Sequence, residues 1–293
     1  MVTRPLTLLA GVCAFSAFGA CDVTIKDGDI SVNQLHGRAT RDWNRRFPLA
    51  AGGRVEIVNT NGPIEVVVGP AGTVEVAAVL DARSLTDDQS NALLSESKIE
   101  ESATTGHIRV ATVRGDATAS GLGSRRHGRL EVAYKVTVPA DTRVEMTGTN
   151  GRLTALGLRG HVKAMVANGG VELTALRGSV DAAAVNGSLV VKMAEVTAGV
   201  RLESTNGRIA LEVPKDARAT LNVRSVNGGI TVTGLGTQDP SGRRIRNLES
   251  ALNGGGPEID VRVTNGRITI TGIDQPSAAS DRPSAGAGRP DPR

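Results

Sequence analysis

The sequence predicts an all-β fold: a single-domain parallel β-solenoid with repeats of about 18–21 residues and one short capping or edge helix. Two observations of composition and pattern support this. The 293 residues include 36 glycines but only 2% aromatic residues, so the interior must be narrow and aliphatic. Short alternating strands also recur between glycine corners, which is typical of stacked β repeats. An antiparallel β-meander with hairpins at its Asn-Gly pairs is the alternative.

Residues 1–20 have the pattern of a signal peptide. Arg4 precedes the apolar run Leu6–Phe18, which is too short to span a bilayer. Small residues then lead into Cys21, and the segment from Phe18 resembles a bacterial lipobox, which predicts lipidation at Cys21. Cleavage after Gly19 without lipidation is the alternative. The mature chain would then hold one cysteine and no intrachain disulfide.

The remaining chain divides by composition into three parts. Residues 21–46 are polar and predict a tether, residues 47–273 form the repeat domain, and residues 274–293 are rich in Pro, Ser and Gly and predict a disordered tail. Thr86 begins a capping-box pattern, so we expect a helical interruption at 86–98. We expect a loop insertion at 241–257, where charged residues and three consecutive glycines occur.

The repeat domain is defined by one motif, Asn-Gly-x-aliphatic-x-aliphatic. Its corner residues are Asn61, Gly62, Asn150, Gly151, Asn168, Gly169, Asn186, Gly187, Asn206, Gly207, Asn227, Gly228, Asn265 and Gly266. The four central steps, from Asn150 to Asn227, are 18, 18, 20 and 21 residues long. A second glycine corner falls midway in three repeats, at Gly160, Gly178 and Gly199. Each repeat therefore contains two short strands.

The Asn-Gly pairs have two interpretations. Both residue types adopt positive φ readily, so the pair makes a sharp corner, and stacked asparagines hydrogen-bond to one another between repeats. The other interpretation is a row of amides that binds a ligand. We favour the structural role. Small interior residues such as Ala164 and Ala182 favour the narrow cross-section of a solenoid.

The order of these elements also resembles a known family. Val138-Pro139, a turn, a strand and then Asn150-Gly151 are followed by alternating repeats, and Phe47-Pro48 begins the same pattern earlier. This order resembles the bacterial "putative adhesin" β-strand-repeat family, a domain of unknown function, over about residues 44–273. The resemblance implies a β-helix-like fold outside the cytoplasm, and it implies no catalytic residues.

The sequence contains no recognisable catalytic or metal-binding pattern. The four histidines, His36, His107, His127 and His161, lie far apart and lack metal-ligand spacing. Glu145, Lys163 and Asp181 share one repeat position with alternating sign, which indicates a charge ladder. We therefore predict no metal, no cofactor and no enzyme, and a β-helical carbohydrate-active enzyme is the least favoured hypothesis.

These features together predict an exported, lipid-anchored protein of the cell envelope that binds, adheres or scaffolds. Its expected partners are the membrane, through the lipid anchor, and an envelope glycan or protein. Nucleic acid is not expected, because the chain has almost no aromatic residues to stack on bases. A self-assembling structural subunit is the second hypothesis, and the oligomeric state stays open.

Overall fold

The structure is a computed structural model, and it describes residues 21–26, 29–114, 128–236 and 245–274. These residues form an all-β fold with one short helix, as the sequence predicts. The predicted signal peptide, and the predicted tail from residue 275 onwards, lie outside the described residues. The chain divides into two compact units. The described residues of unit 1 fall within Met1–Arg41, Leu80–Ser97 and Arg114–Leu130, and those of unit 2 fall within Asp42–Val79, Lys98–Val113 and Glu131–Arg293.

Nineteen strands and one helix are present in the described residues. The first part of the chain contains β1 (Cys21–Lys26), β2 (Asp29–Gln34), β3 (Gly37–Pro48), β4 (Arg54–Asn61), β5 (Ile64–Val68), β6 (Thr73–Ser84), α1 (Asp87–Glu96), β7 (Ser97–Ala103), β8 (His107–Arg114) and β9 (Gly128–Val138). The rest contains β10 (Arg143–Asn150), β11 (Leu153–Leu156), β12 (Val162–Asn168), β13 (Val171–Leu176), β14 (Val180–Asn186), β15 (Leu189–Met193), β16 (Val200–Pro214), β17 (Ala219–Thr233), β18 (Asn247–Leu252) and β19 (Glu258–Ile273).

The segment predicted as a tether at 21–46 contains strands. Strands β1 and β2 pair antiparallel, with Cys21 opposite Gln34, and β3 begins at Gly37. Backbone pairing needs no apolar side chains, so the polar composition of this segment concealed its strands. The tether stays a prediction, and its segment contains these three strands.

Helix α1 in unit 1 lies within the range predicted at 86–98. The side chain of its N-cap residue, Thr86, accepts a hydrogen bond from the backbone N–H of Gln89 at 3.3 Å. Leu93 and Leu94 are buried, and the hydroxyl of Ser97 donates to the carbonyl of Leu93 at 2.8 Å. The capping residue and the apolar pair therefore account for a helix in a chain that is otherwise β.

Alternate strands of the repeats in unit 2 pair with one another in parallel. Strand β10 pairs with β12, β12 with β14, and β14 with β16, while β11 pairs with β13 and β13 with β15. Equivalent residues stay in register, as Val144, Val162 and Val180 illustrate. This parallel pairing differs from the antiparallel pairing that a β-meander would have. Strands β1–β2 and β17–β18 are antiparallel, so strand pairing in the chain is mixed.

The spatial order of the repeats departs from their sequence order at both ends. Strand β4 pairs with β10, so Asn61 lies opposite Asn150. Strand β19 pairs with both β16 and β17, which places Asn265 opposite Asn206 and also opposite Asn227. The spacing had indicated a single repeat between Asn206 and Asn227, but the strand of Asn265 lies between them. Strand β19 can pair between two earlier strands because its Asn-Gly pair aligns with the Asn-Gly pair of each of them.

The insertion predicted as a loop at 241–257 contains strand β18. It pairs antiparallel with the first half of β17, from Ala219 opposite Leu252 to Arg224 opposite Asn247. Pairing satisfies backbone groups at an edge that would otherwise face solvent. Residues 237–244 lie outside the described residues.

The core of unit 2 consists of inward residues that alternate along each strand. Val144, Val162 and Ala164 are fully buried, and no inward residue of these strands is larger than leucine or methionine. Phe47 and Tyr134 are the larger exceptions, and the hydroxyl of Tyr134 lies 2.8 Å from the hydroxyl of Thr112. Burial raises the pKa of Tyr134 to about 12, although the hydrogen bond with Thr112 opposes this. The core is thus thin and aliphatic, as the composition predicts.

Candidate functional site

The seven asparagines of the motif form one continuous hydrogen-bonded row, here called the asparagine ladder. Six amide-to-amide bonds of 2.7–3.0 Å join them, and in each the Nδ2 of one residue donates to the Oδ1 of the residue before it in the row. In spatial order the ladder runs Asn61, Asn150, Asn168, Asn186, Asn206, Asn265 and Asn227. The amides are thus engaged with one another, which is the arrangement that the structural interpretation requires.

The glycine after each asparagine is required by close approach of the neighbouring repeat. A Cβ on Gly187 would overlap the backbone carbonyl of Gly169, and a Cβ on Gly169 would overlap that of Gly151. Five of the seven corner glycines have positive φ, among them Gly169 at +144°, and none of the ladder asparagines does. The asparagines therefore contribute amide bonds and not left-handed backbone, which corrects part of the expectation for the Asn-Gly pair.

A groove of about 640 Å³ lies in unit 2, along the residues that precede the asparagine ladder. We call it the ladder groove. It crosses six paired strands at equivalent positions. Its lining residues are Thr147, Gly148, Thr149, Met165, Val166, Ala167, Ala183, Ala184, Val185, Glu203, Ser204, Thr205, Arg224, Val226, Arg262, Val263 and Thr264. Its volume falls within the range of ligand-binding pockets.

Three outward positions of the ladder groove are apolar and exposed. Met165 is 42% exposed, Val185 is 48% exposed and Val226 is 54% exposed. Strand side chains alternate between core and solvent, so polar residues are expected at these outward positions. Apolar residues that face solvent in a concave surface indicate contact with another molecule.

One end of the ladder groove is charged. Arg262 lies 2.8 Å from Asp260 and 3.8 Å from Glu203, so its charge is compensated. Arg224 occupies the next strand, directly opposite Arg262, and forms no ion pair within the described part of the chain. The hydroxyl of Ser204, which also lines the groove, is buried without a hydrogen-bond partner in the described residues. The groove therefore combines exposed apolar residues with a cationic end.

A second cleft in unit 2, of about 510 Å³, is more polar. Asn44, Arg46, Glu75 and Lys135 are among its lining residues. Arg46 lies 2.5 Å from Glu75, so the charge of this arginine is neutralised within the cleft. This cleft contains none of the exposed large apolar residues, and the ladder groove is the stronger candidate for a binding site.

The residues that the sequence placed in a charge ladder do align. Glu145 lies opposite Lys163, and Lys163 lies opposite Asp181. Most acids of the repeats have a basic partner within reach, such as Glu145 with Arg54 at 2.6 Å. Their geometry is that of strand-to-strand charge pairing and does not bring two carboxylates together around a cleft.

The histidines do not converge. The Nε2 of His107 lies 3.5 Å from Glu56, the Nδ1 of His161 lies 2.7 Å from the hydroxyl of Ser179, and His36 is exposed. His127 lies outside the described residues. Among the residues that the structure describes, no group of three or more His, Cys, Asp or Glu residues could hold a metal ion.

Cys21, the predicted lipidation site, is the first residue of β1. Residues 1–20, which hold the predicted signal, lie outside the described residues. Within the described part of the chain, no helix is both long enough and apolar enough to cross a membrane.

Comparison with known proteins decides the family. The model of the Toastrack DUF4097 family matches residues 15–271. The chain belongs to the Toastrack DUF4097 family. The predicted resemblance to a bacterial "putative adhesin" family of unknown function is thereby confirmed. No curated protein matches the sequence.

Solved structures similar to this Toastrack chain include two from bacteria. One is described as a putative adhesin from Bacteroides fragilis NCTC 9343, with 13% identity, a TM-score of 0.41, and coverage of 80% of this chain and 97% of that chain. The other is described as a putative cell adhesion protein from Clostridium sporogenes ATCC 15579, with 10% identity, a TM-score of 0.39, and coverage of 80% and 100%. Likeness at this level assigns no activity to the chain.

The exposed apolar residues of the ladder groove were missed in the sequence. The signal that could have found them is a break in alternation just before the asparagine. Ala184-Val185 precedes Asn186 with two consecutive apolar residues, where one inward and one polar outward residue are expected. Which strands bring such residues together depends on the register between repeats, which the sequence alone does not give.

Proposed function

We propose that this Toastrack chain is an exported, lipid-anchored binding module of the bacterial cell envelope that holds an elongated partner in the ladder groove. The observation that carries the proposal is the set of three exposed apolar residues, Met165, Val185 and Val226, in a concave surface built on paired strands. A solvated surface gains nothing from such residues, whereas a bound partner would remove them from water.

The fold proposed for the repeats is a parallel β-solenoid. The parallel registers of the repeat strands and the continuous asparagine ladder support it. Neighbouring strands of such a stack lie about 4.8 Å apart, and their order is fixed by backbone bonds. The ladder groove then presents side chains at regular intervals, which suits an extended glycan or polypeptide better than a compact small molecule.

The proposed location is the extracytoplasmic side of a membrane, with Cys21 as the lipid attachment site. The signal-like residues 1–20 and the small residues before Cys21 support this. Two acyl chains on one residue anchor a protein stably, whereas one chain does not. The anchor would place the groove at the envelope, where its partner is expected.

Catalysis is not part of the proposal. The acids of the repeats are paired with bases, as Glu172 is with Arg152 at 3.6 Å and Glu212 with Lys192 at 3.2 Å. Glycosidases use two carboxylates that face each other across a cleft, whereas these acids face basic side chains. Release of reducing ends from an envelope glycan panel would contradict this part of the proposal.

Self-assembly into a polymer is the second candidate function, and two observations disfavour it. Strand β18 covers half of the edge of β17, and the Asn61 end of the ladder lies against Val132, whose carbonyl accepts a bond from Asn59 at 2.7 Å. End-to-end stacking needs both edges open. Light scattering over a concentration series separates the two, since a polymer grows with concentration and a binding module does not.

The groove is tested by Val185→Glu, with Val79→Glu as a matched control. Val79 is 46% exposed in a strand of the same unit but lies outside the groove, and Val185 is 48% exposed. The probe is the isolated cell-envelope fraction, and cosedimentation of the purified full chain is measured. We expect V185E to lose cosedimentation and V79E to retain it. Equal retention by both variants would contradict a role for the groove.

The anchor is tested by Cys21→Ser in cells. Fractionation should move the protein from the membrane to the soluble extracytoplasmic fraction, because the acylated residue is gone. Membrane association that survives the substitution would show that lipid on Cys21 is not the anchor.

A further inference from the structure

Two arginines lie side by side immediately after the asparagine ladder. Arg208 follows Asn206-Gly207 and Arg267 follows Asn265-Gly266, and the two arginines lie opposite each other on strands β16 and β19. Both are exposed, and neither forms an ion pair or a side-chain hydrogen bond within the described residues. Like charges directly opposite on paired strands repel, so this arrangement costs stability.

Two other arginine pairs in unit 2 show how the fold usually compensates such repulsion. Arg54 lies opposite Arg143, and Glu145 approaches Arg54 to 2.6 Å. Arg262 lies opposite Arg224, and Asp260 approaches Arg262 to 2.8 Å. In both cases an acid two residues away on one of the strands neutralises part of the charge.

The pair Arg208 and Arg267 lacks this compensation. Two residues after each arginine stand Ala210 and Thr269, which lie opposite each other, and two residues before stand the ladder asparagines. No acid occupies these flanking positions. The next strand carries Gly229 opposite Arg267, and no atom lies within 4 Å of where a Cβ would be, so that side of the pair is open.

The neighbouring amides add donors to this surface. The Nδ2 of Asn206 donates to Asn186 at 3.0 Å, and that of Asn265 donates to Asn206 at 2.8 Å. An amide group carries two N–H donors, and the ladder uses one of them. Two guanidinium groups and two spare amide N–H groups therefore lie within one repeat step, and no acceptor in the described part of the chain engages them.

We propose that Arg208 and Arg267 form an anion-binding site for a phosphate or carboxylate group. The planar guanidinium presents paired N–H donors that match two oxygens of such a group, and two adjacent guanidiniums match a tetrahedral phosphate or a bridging carboxylate. The bound anion supplies the negative charge that glutamate or aspartate supplies at the other two pairs. The site is separate from the ladder groove, and it stands whether or not the groove binds a partner.

The test is titration of the purified full chain with inorganic phosphate, followed by the NMR signals of the arginine side-chain N–H groups. Matching chloride concentrations control for ionic strength. The variants are Arg208→Gln and Arg267→Gln. The control is Arg152→Gln, because Arg152 follows Asn150-Gly151 at the same motif position but is paired with Glu172 at 3.6 Å.

We expect saturable shifts of the Arg208 and Arg267 signals. Either single variant should weaken phosphate binding about tenfold, because one charge-assisted contact is lost, and R152Q should leave it unchanged. Equal loss in R152Q, or shifts that rise without saturation in the wild type, would overturn the proposal.

A second measurement is independent of the ligand. At low salt, R208Q and R267Q should raise the Tm, because each removes an uncompensated repulsion, whereas R152Q should lower it by removing an ion pair. A lowered Tm in R208Q and R267Q would mean that the pair stabilises the fold, and this would contradict the proposed role.

The source of the anion is separated by two further probes. Vesicles of phosphatidylglycerol, compared with vesicles of phosphatidylcholine, report a lipid phosphate, and soluble glucuronate reports a glycan carboxylate. Binding to either that is lost in R267Q supports the site and assigns its source. Binding to neither, with no saturation by inorganic phosphate, would remove the site altogether.

Discussion

The asparagine ladder and the ladder groove lie next to each other on the same strands, yet they are constrained very differently. In the ladder the same two residue types recur in all seven repeats, because each amide bonds to the next and each glycine meets a neighbouring carbonyl. In the groove the equivalent outward positions change from threonine to methionine, alanine, glutamate and arginine. Stacking therefore fixes the corner and leaves the groove free to vary, which suits the binding role proposed for the groove.

The largest expected effect comes from adding one methyl group to the ladder. Gly187→Ala would place a Cβ against the carbonyl of Gly169, and neither backbone can move without shifting its repeat. We expect a loss of about 3 kcal/mol in the free energy of unfolding. Gly229→Ala is the control, since its Cβ would meet no atom within 4 Å. Denaturant unfolding checks both, and equal stability of the two variants would mean that the repeats are not stacked as described.

The next effect concerns the amide bonds. Asn186 takes part in two ladder bonds, one with Asn168 and one with Asn206, whereas Asn227 at the end of the ladder takes part in one. Asn186→Ala should therefore cost about 2 kcal/mol and Asn227→Ala about half as much, since each lost bond is worth about 1 kcal/mol. Thermal unfolding measures the difference, and a larger loss for N227A would contradict the ladder order.

Substitutions in the groove should affect stability much less. Met165→Thr replaces an exposed side chain with the residue that Thr147 already supplies at the equivalent position. We expect a change below about 0.5 kcal/mol in the free energy of unfolding, together with weaker cosedimentation with the envelope fraction. A strongly destabilised M165T would mean that this side chain supports the fold and is not kept for binding.

The smallest effect lies in unit 1 and depends on pH. Desolvation raises the pKa of Asp81, but hydrogen bonds and charges from Arg83 and Arg38 outweigh it and leave the pKa below its usual 3.8. The ionised carboxylate therefore stabilises the folded state above about pH 4, and this contribution is lost as the pH falls through the lowered pKa. Asp81→Asn should flatten the stability curve in that acidic window. An unchanged curve would show that the three groups are not coupled.

The sequence predicted much of the ladder but not its order. The repeat length and the two strands per repeat follow from local spacing, because an Asn-Gly pair has the same local effect wherever it occurs. The position of Asn265 between Asn206 and Asn227 could not be predicted, since all repeats present the same register pattern and pairing partners are chosen over long distances. From the spacing alone, Asn227 would have been predicted to lie next to Asn206.

Elements outside the repeats were harder still. Strand β3 is largely polar on its outward positions, and β18 alternates only weakly, so neither carries the hydrophobic period that identifies a strand. Helix α1 was predictable because Thr86 and two buried leucines lie close together in the sequence. The groove was missed for a further reason: its residues come from six strands, and only their register brings them together.

Site-specific photocrosslinking in the native envelope tests whether the ladder groove is a binding surface. A photoreactive amino acid is placed in turn at Met165, Val185 and Val226, with Val79 and Leu156 as exposed controls outside the groove. We expect one common crosslinked species from the three groove positions and none from the controls. Equal crosslinking at groove and control positions, or no crosslink at any groove position, would contradict this expectation.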